Sequence, residues 1–234
     1  MIKATVNSLS EYIENIDFLE VVSALTIFRG QPVEGKLNPS LVRSAPLFNP
    51  LEREREMLKQ MRLLGASLLP ANELTYIDLL VLAQHHGLNT RLLDWTSNPL
   101  VALWFACSDR NAEGDVFVYA LLAGTHLEEN PYDISSISLT ETKVFQPRLN
   151  NPRIVAQQGW FTWHHNTFKN GFVPLEEDAK IADSLFEYRI PSKLKCDILI
   201  SLDRHGVSAR TVFPDLPGLC NYLNWKYPPK YTKN

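Results

Sequence analysis

Apolar positions along the chain fall into two periods, and polar groups crowd between them in one place. Leu74, Ile77, Leu80 and Val81 recur at helical spacing, and the pattern stops at Gly87, a residue suited to a left-handed helix end. A second helical pattern opens at Pro99, the favoured first helical position, with Ser97 or Asn98 placed to cap it. It continues through Leu100, Val101, Leu103 and Trp104. Between the two lies Arg91-Leu92-Leu93-Asp94, which reads as a strand or extended loop. The stretch from Gln84 to Ala106 therefore sets Gln84, His85, Thr90, Arg91, Asp94 and Thr96 between buried elements. Polar groups held in this way have fixed partners or bind something.

The flanking pattern is mixed. Ser8-Leu9-Ser10-Glu11 has the form of a capping box ahead of a helix over 8–20, with Leu9, Tyr12, Ile13, Ile16 and Leu19 on one face. Residues 24–28 read as a buried strand that delivers Arg29-Gly30-Gln31 at its end, followed by a loop punctuated by Pro32, Pro39 and Pro46. Asn49-Pro50 opens a helix that Gly65 closes, and its charge run over 52–56 reads as a solvated face. Residues 114–121 read as a strand, 124–146 as a weakly patterned excursion, and 153–163 as a strand with Gly159 at a bulge. Residues 185–190 form a short strand, 192–202 a helix closed by Gly206, and a last helix carries Tyr222, Leu223 and Trp225. Strands and helices without regular alternation predict one α+β domain over 1–234, with its core over about 24–226 and a mixed, mainly antiparallel sheet flanked by helices.

Composition narrows the class. A 45% hydrophobic fraction supports a sizeable core, and a net charge of -3 expresses no general preference for nucleic acid or membrane. No apolar run is long enough to span a bilayer, and Met1-Ile2-Lys3-Ala4 opens no signal peptide. Three widely spaced cysteines, Cys107, Cys196 and Cys220, point to buried thiols in a reducing compartment, so the expected location is cytoplasmic.

Several chemistries have no support. The glycines match neither nucleotide fingerprint, no serine sits in a nucleophile elbow, and Cys107 has the apolar neighbours of a helix core. The pairs His85-His86 and His164-His165 each place at most one ring on a given helix face, so no metal is expected. Arg29 has two readings. Its guanidinium offers a fork to phosphate or carboxylate, with Gly30 letting the backbone approach a ligand, or it pairs with Asp94 and fastens strand to loop. Arg91 and Asp94 carry the same ambiguity, and Thr90, Thr96 and Ser97 orient a ligand or cap the helix at Pro99. On a regular strand Gln157 and Gln158 point to opposite faces, so one of them faces a site with Arg29.

Four motifs in order carry a resemblance. They are Phe28-Arg29-Gly30-Gln31, the long run from Gln84 to Leu103, Arg153 to Phe161, and Phe213-Pro214-Asp215-Leu216-Pro217-Gly218-Leu219. Together they resemble the FRG domain family, named for its Phe/Tyr-Arg-Gly motif. More distantly, an Arg-Gly at the end of a first strand and Trp95-Thr96-Ser97 before an apolar helix resemble the arginine-serine-glutamate class of ADP-ribosyltransferases. That class places a catalytic glutamate on a later strand, where this chain has Gln157 and Gln158, and a glutamine cannot act as a base there. Asp94 is then the alternative carboxylate.

The resemblance implies an ADP-ribosyltransferase-like fold that binds NAD or a related nucleotide. Arg29, Asp94 and Gln158 would be catalytic, and Arg29, Gly30, Gln84, His85, Thr90, Arg91 and Thr96 would bind the cofactor. The macromolecular acceptor, protein or nucleic acid, stays open. Two other readings stand beside this one. Arg43, Arg91, Arg148 and Arg153 form a basic patch on a non-catalytic module for nucleic acid or protein, or Gln84, Arg91 and Asp94 are a buried network that specifies the fold alone.

Overall fold

Along the strand Val116–Leu122, alternate side chains enter two separate cores. Val116, Val118 and Ala120 pack on one side, Phe117, Tyr119 and Leu121 on the other, so this strand is central and buried on both faces. A computed structural model of the chain describes residues 1–43, 49–133, 141–167 and 171–228. Pro46, and the part of the expected excursion over 134–140, lie outside the described residues.

In chain order the elements are β1 (Ile2–Thr5), α1 (Leu9–Val22), β2 (Thr26–Gln31), α2 (Ser40–Arg43), α3 (Pro50–Leu64), α4 (Tyr76–His85), β3 (Leu92–Thr96), α5 (Pro99–Cys107) and β4 (Val116–Leu122). Then follow β5 (Lys143–Phe145), α6 (Pro152–Ala156), β6 (Gly159–Trp163), β7 (Asn166–Thr167), β8 (Gly171–Phe172), β9 (Leu185–Ile190), α7 (Lys195–Arg204), α8 (Ala209–Val212) and α9 (Leu216–Lys226). Seven strands form one sheet in the order β1-β9-β4-β2-β3-β6-β5, while β7 and β8 pair separately. β1 and β9 run parallel and the other neighbours of the sheet antiparallel. The class is α+β, with one mixed, mainly antiparallel sheet flanked by helices.

Helices α1, α5, α7 and α8 cover one face, where Tyr12, Ile16, Leu103, Leu199 and Val212 meet Phe28 and Tyr188. Behind the other face Leu37, Leu175 and Ile181 close over Ile27, Leu93 and Trp95. A third cluster joins α3 and α4 to the far strands through Leu58, Leu80, Leu92, Phe145 and Phe161. Local signals explain most starts. Ser8 caps α1, its hydroxyl accepting from the Glu11 N–H at 3.0 Å. Asn98, rather than Ser97, caps α5, its Oδ1 accepting from the backbone of Leu100 and Val101. Thr75 and Asp78 form a full capping box at α4.

Five expectations need correcting. The strand expected over 153–163 divides into α6 and β6, because Asn151 accepts from the Arg153 N–H at 2.9 Å and Pro152 opens a helix there. The helix ends in Gln157 and in Gln158, whose φ of 48° is left-handed, so the two glutamines sit in a turn and not on opposite faces of a strand. The charge run of α3 is not uniformly solvated, since Glu54 is fully buried. β1 was not expected and gains its order only from β9, and β2 runs on through Arg29, Gly30 and Gln31.

Candidate functional site

β2 and β3 share a single paired position, Phe28 opposite Thr96, and then part. Elsewhere β3 is fully paired with β6, and β2 with β4. Arg29 follows Phe28 at the parting. Its Nη1 donates to the backbone carbonyl of Asp94 at 2.8 Å and its Nε to Gln31 Oε1 at 3.3 Å. The guanidinium thus satisfies a carbonyl that strand pairing leaves open. The Asp94 carboxylate lies 3.9 Å from Nη1, so the fastening role expected for Arg29 is real. Its side chain is only 14% exposed, and burial lowers its pKa against the opposing pull of Asp94. It nevertheless stays charged. Nη2 has no hydrogen-bond partner among the described residues.

The parting opens into a cavity of about 320 Å³. Arg29, Gln84, His85, Asp94 and Thr96 line it, together with Arg153, Gln157, Phe105 and Phe213. Gln84 joins the first wall by two bonds. Its amide donates to Asp94 Oδ2 at 3.0 Å and accepts from the Thr90 hydroxyl at 2.6 Å. That pair fixes which end of the amide faces Asp94. Asp94 is 56% exposed and is the one carboxylate among the lining residues.

The opposite wall comes from α6 and the segment before α9. Asn151 Oδ1 is engaged by the Arg153 N–H, so its amide nitrogen faces His85 Nε2 at 3.2 Å. His85 accepts there only as neutral imidazole with its proton on Nδ1. Burial, then His86 and Arg153, lower its pKa in keeping with this. Phe105 and Phe213 meet edge to face at 5.9 Å, backed by Trp104.

The residues expected at the site divide. Arg29, Gly30, Gln84, His85, Asp94 and Thr96 come together at the cavity. Gly30 also has a packing role, since a Cβ there would meet the Ala102 carbonyl oxygen of α5 at 1.9 Å. Thr96 donates to the Gln157 carbonyl at 2.6 Å and accepts from the Asn98 N–H. Of the two glutamines, Gln157 lines the cavity. Gln158 is exposed and bonds back to Ser97. Thr90 is buried behind Gln84 and binds Leu92 and Ser40.

Arg91 is elsewhere. It is buried against Glu54, which accepts from its guanidinium and from its backbone N–H, and it lies over the Trp163 ring at 4.8 Å. The buried network expected of Gln84, Arg91 and Asp94 is therefore two separate ones. The four arginines of the expected basic patch are mostly paired, Arg91 with Glu54, Arg148 with Asp78 and Arg153 with Asp215. In each histidine pair one ring is the more buried, with His86 exposed and His164 fully buried. Among the described residues no group of three His, Cys, Asp or Glu could hold a metal ion, and no helix is long and apolar enough to cross a membrane.

Sequence reasoning set Arg153 in a surface patch and left Phe105 out of the site. The sequence signal for Arg153 and Phe213 is the Phe213–Leu219 motif, whose Asp215 holds Arg153.

Residues 24–115 match the family model of the FRG domain. The chain carries an FRG domain over these residues. No curated protein and no solved structure matches it. The FRG match takes in Arg29, Gln84, His85, Asp94, Thr96 and Phe105, and thus one side of the cavity. Arg153, Gln157 and Phe213 lie beyond the matched residues and supply the other side.

Proposed function

We propose that the FRG cleft binds a nucleotide, NAD or its ADP-ribose portion, as an ADP-ribosyltransferase-like site. The observation that carries this reading is Arg29, a lining residue of the cavity held in the gap where β2 and β3 part, whose Nη2 has no hydrogen-bond partner among the described residues. A fixed guanidinium with a free donor suits a phosphate oxygen. The aromatic wall of Phe105 and Phe213 suits a planar ring, and the amides of Gln84 and Gln157 suit ribose hydroxyls. A cavity of about 320 Å³ is at the low end for small-molecule sites and fits one half of a dinucleotide, with the rest reaching the mouth.

In this reading Arg29 holds phosphate, Thr96 orients the nicotinamide side, and Asp94 faces the ribose. NAD bound there supplies an activated ribose whose leaving group is nicotinamide. Asp94, a carboxylate lining the cavity, would stabilise positive charge developing at the anomeric carbon. Gln157 takes the place expected for Gln158, as a hydrogen-bonding and not a basic group. The acceptor is a macromolecule, protein or nucleic acid.

Calorimetry with NAD, ADP-ribose and a short oligonucleotide tests the reading, on wild type, Arg29→Ala and Arg29→Lys, with circular dichroism to verify folding. Saturable nucleotide binding that falls at least about tenfold in a folded Arg29 variant is expected. No nucleotide binding, or binding indifferent to both variants, sinks it. Oligonucleotide binding with a steep salt slope would instead favour a nucleic-acid module.

A further inference from the structure

We infer that Arg153 is a second anion-binding group of the cleft, so that the ligand class is a diphosphate held at two points, by Arg29 and by Arg153. This rests on the nucleotide reading of the same cavity.

Arg153 is the most elaborately supported side chain of the site. Its Nε donates to Asp215 Oδ2 at 2.6 Å, and Nη2 reaches the same carboxylate. The guanidinium carbon lies 5.2 Å from the centre of the Phe213 ring. Asp215 is itself fixed as the N-cap of α9, since its Oδ1 accepts from the Gly218 N–H at 2.8 Å. That bond and the arginine hold its carboxyl below the usual range. Gly218 is obligatory for a steric reason, because a Cβ there would lie 2.0 Å from the Phe213 carbonyl oxygen. Phe213, Asp215 and Gly218 thus form a bracket whose product is one orientation of Arg153.

A surface ion pair needs no such bracket. Here it holds an arginine at the cavity wall with Nη1 unpartnered among the described residues. Arg29 repeats the arrangement at the same cavity, with Nη1 and Nε engaged by protein and Nη2 without a hydrogen-bond partner among the described residues. Two anchored guanidiniums in a cavity this small suit two linked phosphates, each taking one or more charge-assisted bonds.

Asp215→Asn separates positioning from charge. Asparagine still caps α9 through its carbonyl oxygen, but its amide nitrogen now confronts Arg153 Nε, donor against donor. The experiment titrates ADP-ribose and AMP into wild type, Arg29→Lys, Arg153→Ala and Asp215→Asn, each verified by its melting temperature. Wild type is expected to bind ADP-ribose about tenfold or more tighter than AMP. Arg153→Ala and Asp215→Asn should bring ADP-ribose down to the AMP level. Arg29→Lys should weaken both ligands. If ADP-ribose binds and its advantage over AMP survives Arg153→Ala, the two-point grip is wrong while the nucleotide site stands. Tighter ADP-ribose binding by Asp215→Asn overturns it too, because Asp215 would then only subtract charge. If wild type binds neither ligand, the nucleotide reading fails and this one with it.

Discussion

Arg29 Nη1 lies 2.8 Å from the carbonyl oxygen of Asp94, at the point where β2 and β3 stop pairing. A side chain here does the work of a strand, and one arginine both closes the backbone account of the sheet and faces the cavity. The nitrogens that brace the sheet, Nη1 and Nε, are distinct from Nη2, which has no hydrogen-bond partner among the described residues.

Replacing Arg29 separates these roles by magnitude. Arg29→Ala should lower stability by about 1.5–3 kcal/mol, the range for a hydrogen bond made by a charged group. Urea denaturation measures it. A loss under about 0.5 kcal/mol would mean that water satisfies the Asp94 carbonyl equally well.

Glu54 and Arg91 make the sharpest stability prediction. Glu54→Gln leaves a buried guanidinium without its counter-charge and should cost about 3–5 kcal/mol. The double variant Glu54→Met with Arg91→Met should recover most of that loss, because the desolvated charges disappear together. A double-mutant cycle closed with the single variants Glu54→Met and Arg91→Met, by urea denaturation, gives the coupling. Simple additivity of the two single losses would contradict it.

Gly30 and Gly87 should differ for different reasons. Gly30→Ala drives a Cβ against the backbone of α5 and should cost about 3 kcal/mol, as other forced overpacking does. Gly87, with φ of 87° and open space around it, should cost only about 1–2 kcal/mol as alanine, from backbone conformation alone. Melting curves of the two variants decide the order. The reverse order would place the constraint at the helix end and not at the β2–α5 contact.

His164 predicts the acid limb of stability. It is fully buried, and burial first, then His165 and Arg29, hold its pKa at about 3. Its Nε2 meets Thr162 Oγ1 at 3.0 Å, and that oxygen also accepts from Trp95 Nε1. The folded pKa lies below the unfolded value of about 6.5, so between them the unfolded chain binds the extra proton. Stability is full above about pH 6.5 and falls as pH drops towards 3, by on the order of 5 kcal/mol in all. His85 and His126 shift in the same direction and add to the slope. His164→Gln should flatten the fall between about pH 6.5 and 5, before carboxylates titrate. An unchanged slope in urea titrations across that window would show that His164 is not the titrating group.

Much of the chain was legible where the determinant is local. Asn49-Pro50 and Asn98-Pro99 announced α3 and α5 correctly, and the long motif placed Gln84, His85, Asp94 and Thr96 together because helix, strand and helix follow within a few residues. The same Asn-Pro signal stands at Asn151-Pro152, directly ahead of Ile154-Val155-Ala156, whose apolar run reads as strand. Read by its cap, α6 was also within reach, and with it the turn that brings Gln157 to the cavity.

Other features had no local sign. Glu54 looks like its neighbours in a charged helix, and only Arg91, far along the chain, makes it an interior residue. β1 becomes a strand only beside β9, and Arg153 becomes a cavity residue only when Asp215 holds it. The sequence by itself determined the helix caps, the alternation of β4 and the crowding of polar groups around Asp94, since backbone hydrogen bonds and side-chain periodicity act within a turn or two. The tertiary structure alone decided which charges are buried in pairs and where β2 and β3 part. Both depend on burial and on through-space partners, which spacing along a chain does not encode.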